Sequence, residues 1–135
     1  MAFTKLLLSY ILTFIVFILI DLTWIGIIAK DFYNKQLGSF LSGEVNWPAA
    51  IFFYLLFIVG IFVFVIMPAL QKNSLGSALV LGALFGFVTY ATYDLTNLAT
   101  VKDWPIKVVV IDMLWGAALT CVVSGAGFLI SKWLS

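Results

Sequence analysis

Four long apolar stretches dominate this chain, at about residues 6–28, 48–70, 75–99 and 105–130. Each exceeds the ~20 residues that a helix needs to cross the roughly 30 Å hydrocarbon core of a bilayer. Water is scarce at that depth, so each stretch should satisfy its peptide groups as a helix. With 64% hydrophobic and 10% charged residues, little soluble mass remains. We predict an all-α membrane protein, in which residues 1–135 form a single four-transmembrane-helix bundle.

The chain contains a candidate internal repeat. Asp21-Leu22-Thr23 stands near the end of the first stretch, and Asp94-Leu95-Thr96 stands near the end of the third. Trp47-Pro48 opens the second stretch, and Trp104-Pro105 opens the fourth. Because each unit has two spans, both copies have the same direction in the membrane. We therefore predict two duplicated two-helix hairpins, related by a pseudo-twofold axis along the membrane normal.

The two candidate repeats differ in their linkers. Residues 100–103 form a short turn, whereas residues 29–46 form a longer linker. Four apolar or aromatic side chains of that linker recur at helical spacing, at Tyr33, Leu37, Phe40 and Leu41. This spacing predicts a short interfacial helix over residues 31–43, ended by Gly43.

Three aspartates lie inside the apolar stretches, at Asp21, Asp94 and Asp112, and the one basic residue within those stretches is Lys107, near the start of the fourth. A carboxylate in hydrocarbon costs roughly 2.5–3.5 kcal/mol on insertion scales, so such groups usually mark a functional site. At ~1.5 Å of helix per residue, all three fall in one layer roughly 8–12 Å below the same membrane face. Burial and mutual repulsion favour the neutral form of at least one of them at neutral pH.

Aromatic and amide side chains accompany these aspartates. Trp24, Asn97 and Trp115 each follow an aspartate by three residues and so share its helix face. Tyr54 lies at the same depth in the second stretch, and Tyr90 and Tyr93 precede Asp94 within one helical turn. The candidate ligand-binding residues are therefore Asp21, Asp94, Asp112, Asn97, Tyr54, Tyr90, Tyr93, Trp24 and Trp115, of which the three aspartates are also candidate metal ligands.

Small residues mark the expected helix contacts. Gly82 and Gly86 form a GxxxG pattern in the third stretch, and Gly116, Thr120 and Ser124 recur every four residues in the fourth. Such stripes allow close approach of helix backbones in membranes. They predict contacts within the bundle or between copies of the chain.

Composition excludes several kinds of chemistry. The chain has no His, no Arg and one cysteine, Cys121. Histidine-ligated iron or haem, Ser-His-Asp catalysis and arginine-clamped phosphate chemistry are therefore excluded. We expect no cofactor and no nucleic-acid partner. Lysine counts on the two faces differ by only one, but the face with both termini carries no acidic residue. This favours cytoplasmic termini in a bacterial inner membrane.

The combination Tyr93-Asp94-Leu95-Thr96-Asn97-Leu98-Ala99-Thr100, Trp104-Pro105 and Asp112-Met113-Leu114-Trp115-Gly116 resembles a family of small bacterial four-span membrane proteins of unknown function. Asp21-Leu22-Thr23-Trp24 is similar to the first-span motif of that family. The resemblance covers essentially the whole chain. It implies the four-span fold and the importance of these residues, and it implies no activity.

Three functions fit these residues. The first is binding or transport of a proton, a cation or a small cationic ligand. Aspartates would supply charge, and Trp24, Trp115, Tyr54 and Tyr90 would surround an organic ammonium. Alternatively, the three carboxylates and Asn97 would bind a hard divalent ion.

The second function is a membrane-embedded lipid-modifying enzyme, in which a neutral aspartate acts as acid and an ionised one as base. The third is a structural or assembly subunit, in which the aspartates and threonines bond to one another. The expected partners are the lipid bilayer, a small cation, proton or lipid ligand, and a second copy of the chain.

Overall fold

The computed structural model describes residues 2–41 and 43–135, and it is all-helical with no strand in those ranges. Four helices are long and apolar enough to cross a membrane: span one, Phe3–Ile28; span two, Trp47–Lys72; span three, Leu75–Thr100; and span four, Ile106–Leu134. This confirms the predicted four-span, all-α architecture. The bundle has two ends. The terminus end contains both chain termini, and the linker end contains the connections after spans one and three.

Local sequence explains where the spans begin and end. The Asn46 side chain accepts a hydrogen bond from the Ala49 backbone N–H at 3.2 Å, so span two has a side-chain cap. Ser74 caps span three in the same way, through the Ser77 N–H at 3.0 Å. Asn73 ends span two in the left-handed conformation at φ 49°, which asparagine adopts more readily than most residues.

Spans three and four form the most extensive helix contact of the bundle. Gly86 lies so close to span four that an added Cβ would collide with the Gly116 carbonyl oxygen and the Thr120 side chain. Gly82 approaches Ser124 and the Thr120 carbonyl in the same way. The small-residue stripes thus serve contacts within the bundle.

The backbone of span two approaches spans three and four closely from Phe62 to Lys72. Towards the linker end, Trp47–Ile61 closely approaches span one and contacts span three through the Phe57 ring, which stacks on Phe85. Phe62–Ile66 is a π-helical turn, and a second π-helical turn covers Trp24–Ile28 in span one. The hydrophobic core lies where the spans converge. Its most buried side chains include Phe17, Ile58, Ile61 and Leu119, which are fully or almost fully buried.

The linker after span one contains a helix over Lys30–Leu37. The sequence pattern predicts a helix that continues to Gly43, but the helix ends at Leu37. Phe40 and Leu41 lie in the turn that follows it. Gly38 and Ser39 explain this end, because both are poor helix formers. The linker after span three is a short turn in which Asp103 has a φ of 61°. Spans one and two each contain a π-helical turn, whereas spans three and four contain none. The two halves therefore differ in local backbone, and the internal duplication stays a prediction.

Candidate functional site

A cavity of about 820 Å3 lies at the linker end, between the separated first half of span two and the other three spans. All four spans and the linker contribute to its wall. Seven of the nine predicted site residues line it: Asp21, Trp24, Tyr54, Tyr90, Tyr93, Asp112 and Trp115. The other two, Asp94 and Asn97, lie on span three outside the lining.

Two tryptophans from different spans form the centre of this wall. The Trp24 and Trp115 rings stack with centroids 4.3 Å apart and an angle of 9° between their planes. The π-helical turn that begins at Trp24 ends in a hydrogen bond from the Ala29 N–H to the Trp24 carbonyl at 2.7 Å. π-Helical turns occur frequently at functional sites, because they alter the direction in which side chains point.

Each indole N–H of the stacked pair donates to a polar group of the site. Trp115 Nε1 donates to Asp21 Oδ1 at 3.3 Å. Trp24 Nε1 donates to the Tyr33 hydroxyl at 3.3 Å, and that hydroxyl donates to Asp112 Oδ1 at 2.8 Å. Both cavity carboxylates are therefore held by donors that belong to the aromatic wall.

Sequence reasoning missed Tyr33 as a site residue and placed it only on the apolar face of the linker helix. Burial raises the pKa of the Tyr33 hydroxyl, and the negative charge of Asp112 raises it further against the opposing hydrogen bond from Trp24. Tyr33 is consequently a neutral donor at physiological pH. The apolar face of the linker helix indicated that this helix would pack against the bundle or the membrane surface. Nothing in the sequence indicated that Tyr33 would face Asp112.

Asp94 lies in the bundle interior. Its side chain is fully buried, and neither carboxylate oxygen accepts a hydrogen bond from a residue that the structure describes. The Asp112 carboxyl lies within hydrogen-bonding reach, so the two groups can share a proton. Asp94 also interacts electrostatically with Asp112, which in turn interacts with Asp21. Asp112 is half-buried and connects the other two aspartates. Asn97 is half-buried and interacts with Tyr93.

No lysine compensates these carboxylates. All seven lysines have exposed side chains, and none lines the cavity. In residues 2–41 and 43–135, no three His, Cys, Asp or Glu side chains are grouped closely enough to hold a metal ion. The chemical character of the cavity is therefore that of an acidic, aromatic-walled site.

The threonines around Asp94 are satisfied by their own helix. Thr89, Thr92 and Thr96 donate to backbone carbonyls three or four residues earlier in span three. Threonine commonly forms such bonds inside helices. These hydroxyls therefore do not donate to the buried Asp94 carboxylate, although Thr89 also lines the cavity.

Fold and site together define a small four-span integral membrane protein with a polar cavity at one end. The chain belongs to the family described as "Predicted membrane protein (DUF2177)", which matches residues 6–129. This confirms the resemblance to a four-span family of unknown function. No curated protein and no solved structure gives a significant match to the chain.

Proposed function

We propose that this protein binds a small organic cation of the ammonium type in the cavity at the linker end. The observation that carries the proposal is the combination of Asp21 and Asp112 with the stacked Trp24–Trp115 pair in one wall, without a lysine in the lining. Carboxylates attract the charge, and indole faces attract an ammonium by cation–π interaction within about 6 Å of the ring centroid.

The hydrogen bonds of the wall leave room for a ligand at both carboxylates. Trp115 donates to Oδ1 of Asp21, and Tyr33 donates to Oδ1 of Asp112, so each bond uses one oxygen of its carboxylate. An ionised carboxylate has about four acceptor positions, so further capacity remains for an ammonium group. Trp115 is held by its stacking on Trp24, and Tyr33 is held by the hydrogen bond from Trp24 Nε1, so the carboxylates are preorganised before the cation arrives.

An organic cation fits these residues better than a divalent metal ion. Hard divalent ions need six to eight oxygen ligands, or an octahedron completed by water. The described carboxylates do not form a three-ligand group, whereas aromatic rings occupy a large part of the wall. The cavity volume of about 820 Å3 also falls in the range of sites for small organic molecules.

Transport is the natural extension of this proposal, with a proton or the cation crossing the bundle. A lipid-modifying enzyme is the alternative, supported by the buried Asp94 beside Asp112, which offers an acid and base in one site. Conversion of membrane lipids by the purified protein would favour the alternative.

We also propose a bacterial inner membrane with cytoplasmic termini, supported by the lack of acidic residues at the terminus end.

The direct test is calorimetric titration of the protein in lipid nanodiscs with choline and with its uncharged isostere 3,3-dimethylbutan-1-ol. The proposal expects binding of choline and at least tenfold weaker binding of the isostere. Asp112→Asn should remove most of the choline binding. Asp103→Asn is the matched control, because Asp103 is exposed and asparagine tolerates its φ of 61°.

Three outcomes would contradict the proposal. They are equal binding of the charged and uncharged compounds, no binding of either, or the same loss of binding in Asp112→Asn and Asp103→Asn. The last result would mean that general negative charge, rather than the cavity carboxylate, attracts the cation. A structural or assembly role would then become the better explanation.

A further inference from the structure

The cavity wall has two chemically different parts. One part carries the carboxylates of Asp21 and Asp112 together with the indole pair. The other part comes from span one, the linker and the first two turns of span two, and it is apolar: Ile25, Leu41, Val45, Ala49, Ala50 and Phe53. These six residues contribute no charged or hydrogen-bonding side chain. We refer to them as the apolar mouth.

The apolar mouth is incompletely covered by protein. Ile25, Val45 and Phe53 keep relative exposures of 48%, 59% and 48%. Leu41 and Val45 belong to the linker, outside the four helices that are long enough to cross a membrane. Apolar side chains beside a polar cavity at a membrane–water boundary favour a ligand that brings apolar surface of its own.

The course of span two leaves room for this mouth. Its backbone approaches spans three and four closely from Phe62 to Lys72, whereas its first turns do not. Ala49 and Ala50 occupy the part of span two that faces the gap, and their small side chains leave it open. At about 820 Å3, the cavity has the size of sites for drug-sized ligands rather than for a four-carbon ammonium ion.

We infer that the ligand is an amphiphilic organic cation, with its charged group at the carboxylates of Asp21 and Asp112 and an apolar, aromatic-sized group in the apolar mouth. This inference rests on the proposed function and adds the class of ligand. The cation would enter with its charge first, and the apolar group would cover the open side of the cavity. The mouth residues then determine which cations bind best.

The test compares phenyltrimethylammonium with tetramethylammonium, both permanently charged, by titration calorimetry in nanodiscs. Burial of a phenyl-sized group strengthens association by roughly tenfold or more, so phenyltrimethylammonium should bind at least tenfold more tightly. Ile25→Ala should reduce this ratio by at least threefold. Ile27→Ala is the matched control, because Ile27 lies in the same π-helical turn, is 76% exposed and does not line the cavity.

A second variant fills the mouth instead of enlarging it. Ala50→Phe should weaken phenyltrimethylammonium at least tenfold and leave tetramethylammonium within twofold of its original affinity. Ala118→Phe is the control, because Ala118 is exposed on span four and lies outside the cavity lining. Thermal unfolding of each variant establishes that it is folded before its affinities are compared.

The outcomes separate this inference from the proposed function. Equal affinities for the two cations, or phenyl-specific affinity that neither mouth variant changes, would overturn the inference and leave cation binding intact. Equal weakening of both cations by Ala50→Phe would overturn the assigned orientation. Failure of both cations to bind, with choline also inactive, would overturn the proposed function and the inference together.

Discussion

The Tyr33 hydroxyl donates a hydrogen bond of 2.8 Å to Asp112 Oδ1 across 79 positions of sequence. This bond joins the linker helix to span four. The same hydroxyl accepts the indole N–H of Trp24 from span one. A single side chain outside the spans thus connects two spans in the wall of the cavity, and it does so as a neutral group because burial raises its pKa.

Replacement of Tyr33 by phenylalanine should loosen the linker helix and weaken cation binding. The variant keeps the ring and removes the donor to a carboxylate, a bond worth about 1.5–3 kcal/mol. Amide hydrogen exchange over Lys30–Leu37 should accelerate, and choline affinity should fall several-fold. Asn34→Ala is the control, since Asn34 is exposed on the same helix. Unchanged exchange in Tyr33→Phe would argue against docking through this bond.

Trp115→Phe should destabilise the protein by about 1–3 kcal/mol, because it removes the donor to the buried carboxylate of Asp21. Asp21→Asn combined with Trp115→Phe should cost less than the sum of the single changes. The measurement is a double-mutant cycle of unfolding free energies, with Trp133→Phe as a control at 79% exposure. Strict additivity would contradict an interaction between these two side chains.

Asp94→Asn should leave the protein folded and as stable as the wild type, or more stable. The carboxylate is fully buried without a donor among the described residues, so its neutral replacement removes a costly group. Cation binding should nevertheless be lost or strongly weakened, because asparagine can neither carry negative charge beside Asp112 nor exchange a proton with it. Thermal unfolding and choline titration check the two parts. A variant that binds choline as tightly as the wild type would refute a role for the Asp94 charge.

Cation affinity should fall as the pH is lowered. Protons and the cation compete for the same carboxylates, so the affinity rises with pH while the carboxylates lose their protons, and binding of the cation releases protons. Tyr33 does not titrate in this range, since its pKa is raised from an ordinary value of 10.0.

Infrared spectroscopy tests directly whether a carboxyl group of the site is protonated. A protonated carboxyl band should be present near pH 7 in the free protein, as expected for buried carboxylates without a basic partner, and it should decrease on addition of choline. Asp31→Asn, an exposed change outside the spans, should leave the band unchanged. Full ionisation of all carboxyls at pH 7 in the free protein would contradict proton competition at this site.

Gly86→Ala should destabilise the bundle by about 1–3 kcal/mol, because the new methyl group would collide with the Gly116 carbonyl and Thr120 of span four. Gly26→Ala is the control, because no atom lies within 4 Å of a Cβ built there. Unfolding in nanodiscs or mild detergent measures both. Equal stability of the two variants would contradict close packing of spans three and four.

The long apolar stretches were sufficient to predict four helical spans, because hydrocarbon leaves a peptide backbone few alternatives. Helix rise also indicated that the three aspartates share a depth, since depth depends only on position along each span. Side-chain partners do not follow from depth. The stacking of Trp24 on Trp115 requires the rotation of two spans about their axes, which no single-helix periodicity specifies.

By itself, the sequence determined that this protein has four helices long and apolar enough to cross a membrane, and it predicted that three carboxylates share one depth in them. Both follow from single segments taken one at a time. Only the tertiary structure decided that Asp94 is enclosed while Asp21 and Asp112 face a cavity, and that Tyr33 reaches Asp112 from the linker. The reason is that these features depend on how helices tilt and rotate against one another. Those orientations are set by the close packing of Gly82 and Gly86 on span four and by the separated first half of span two.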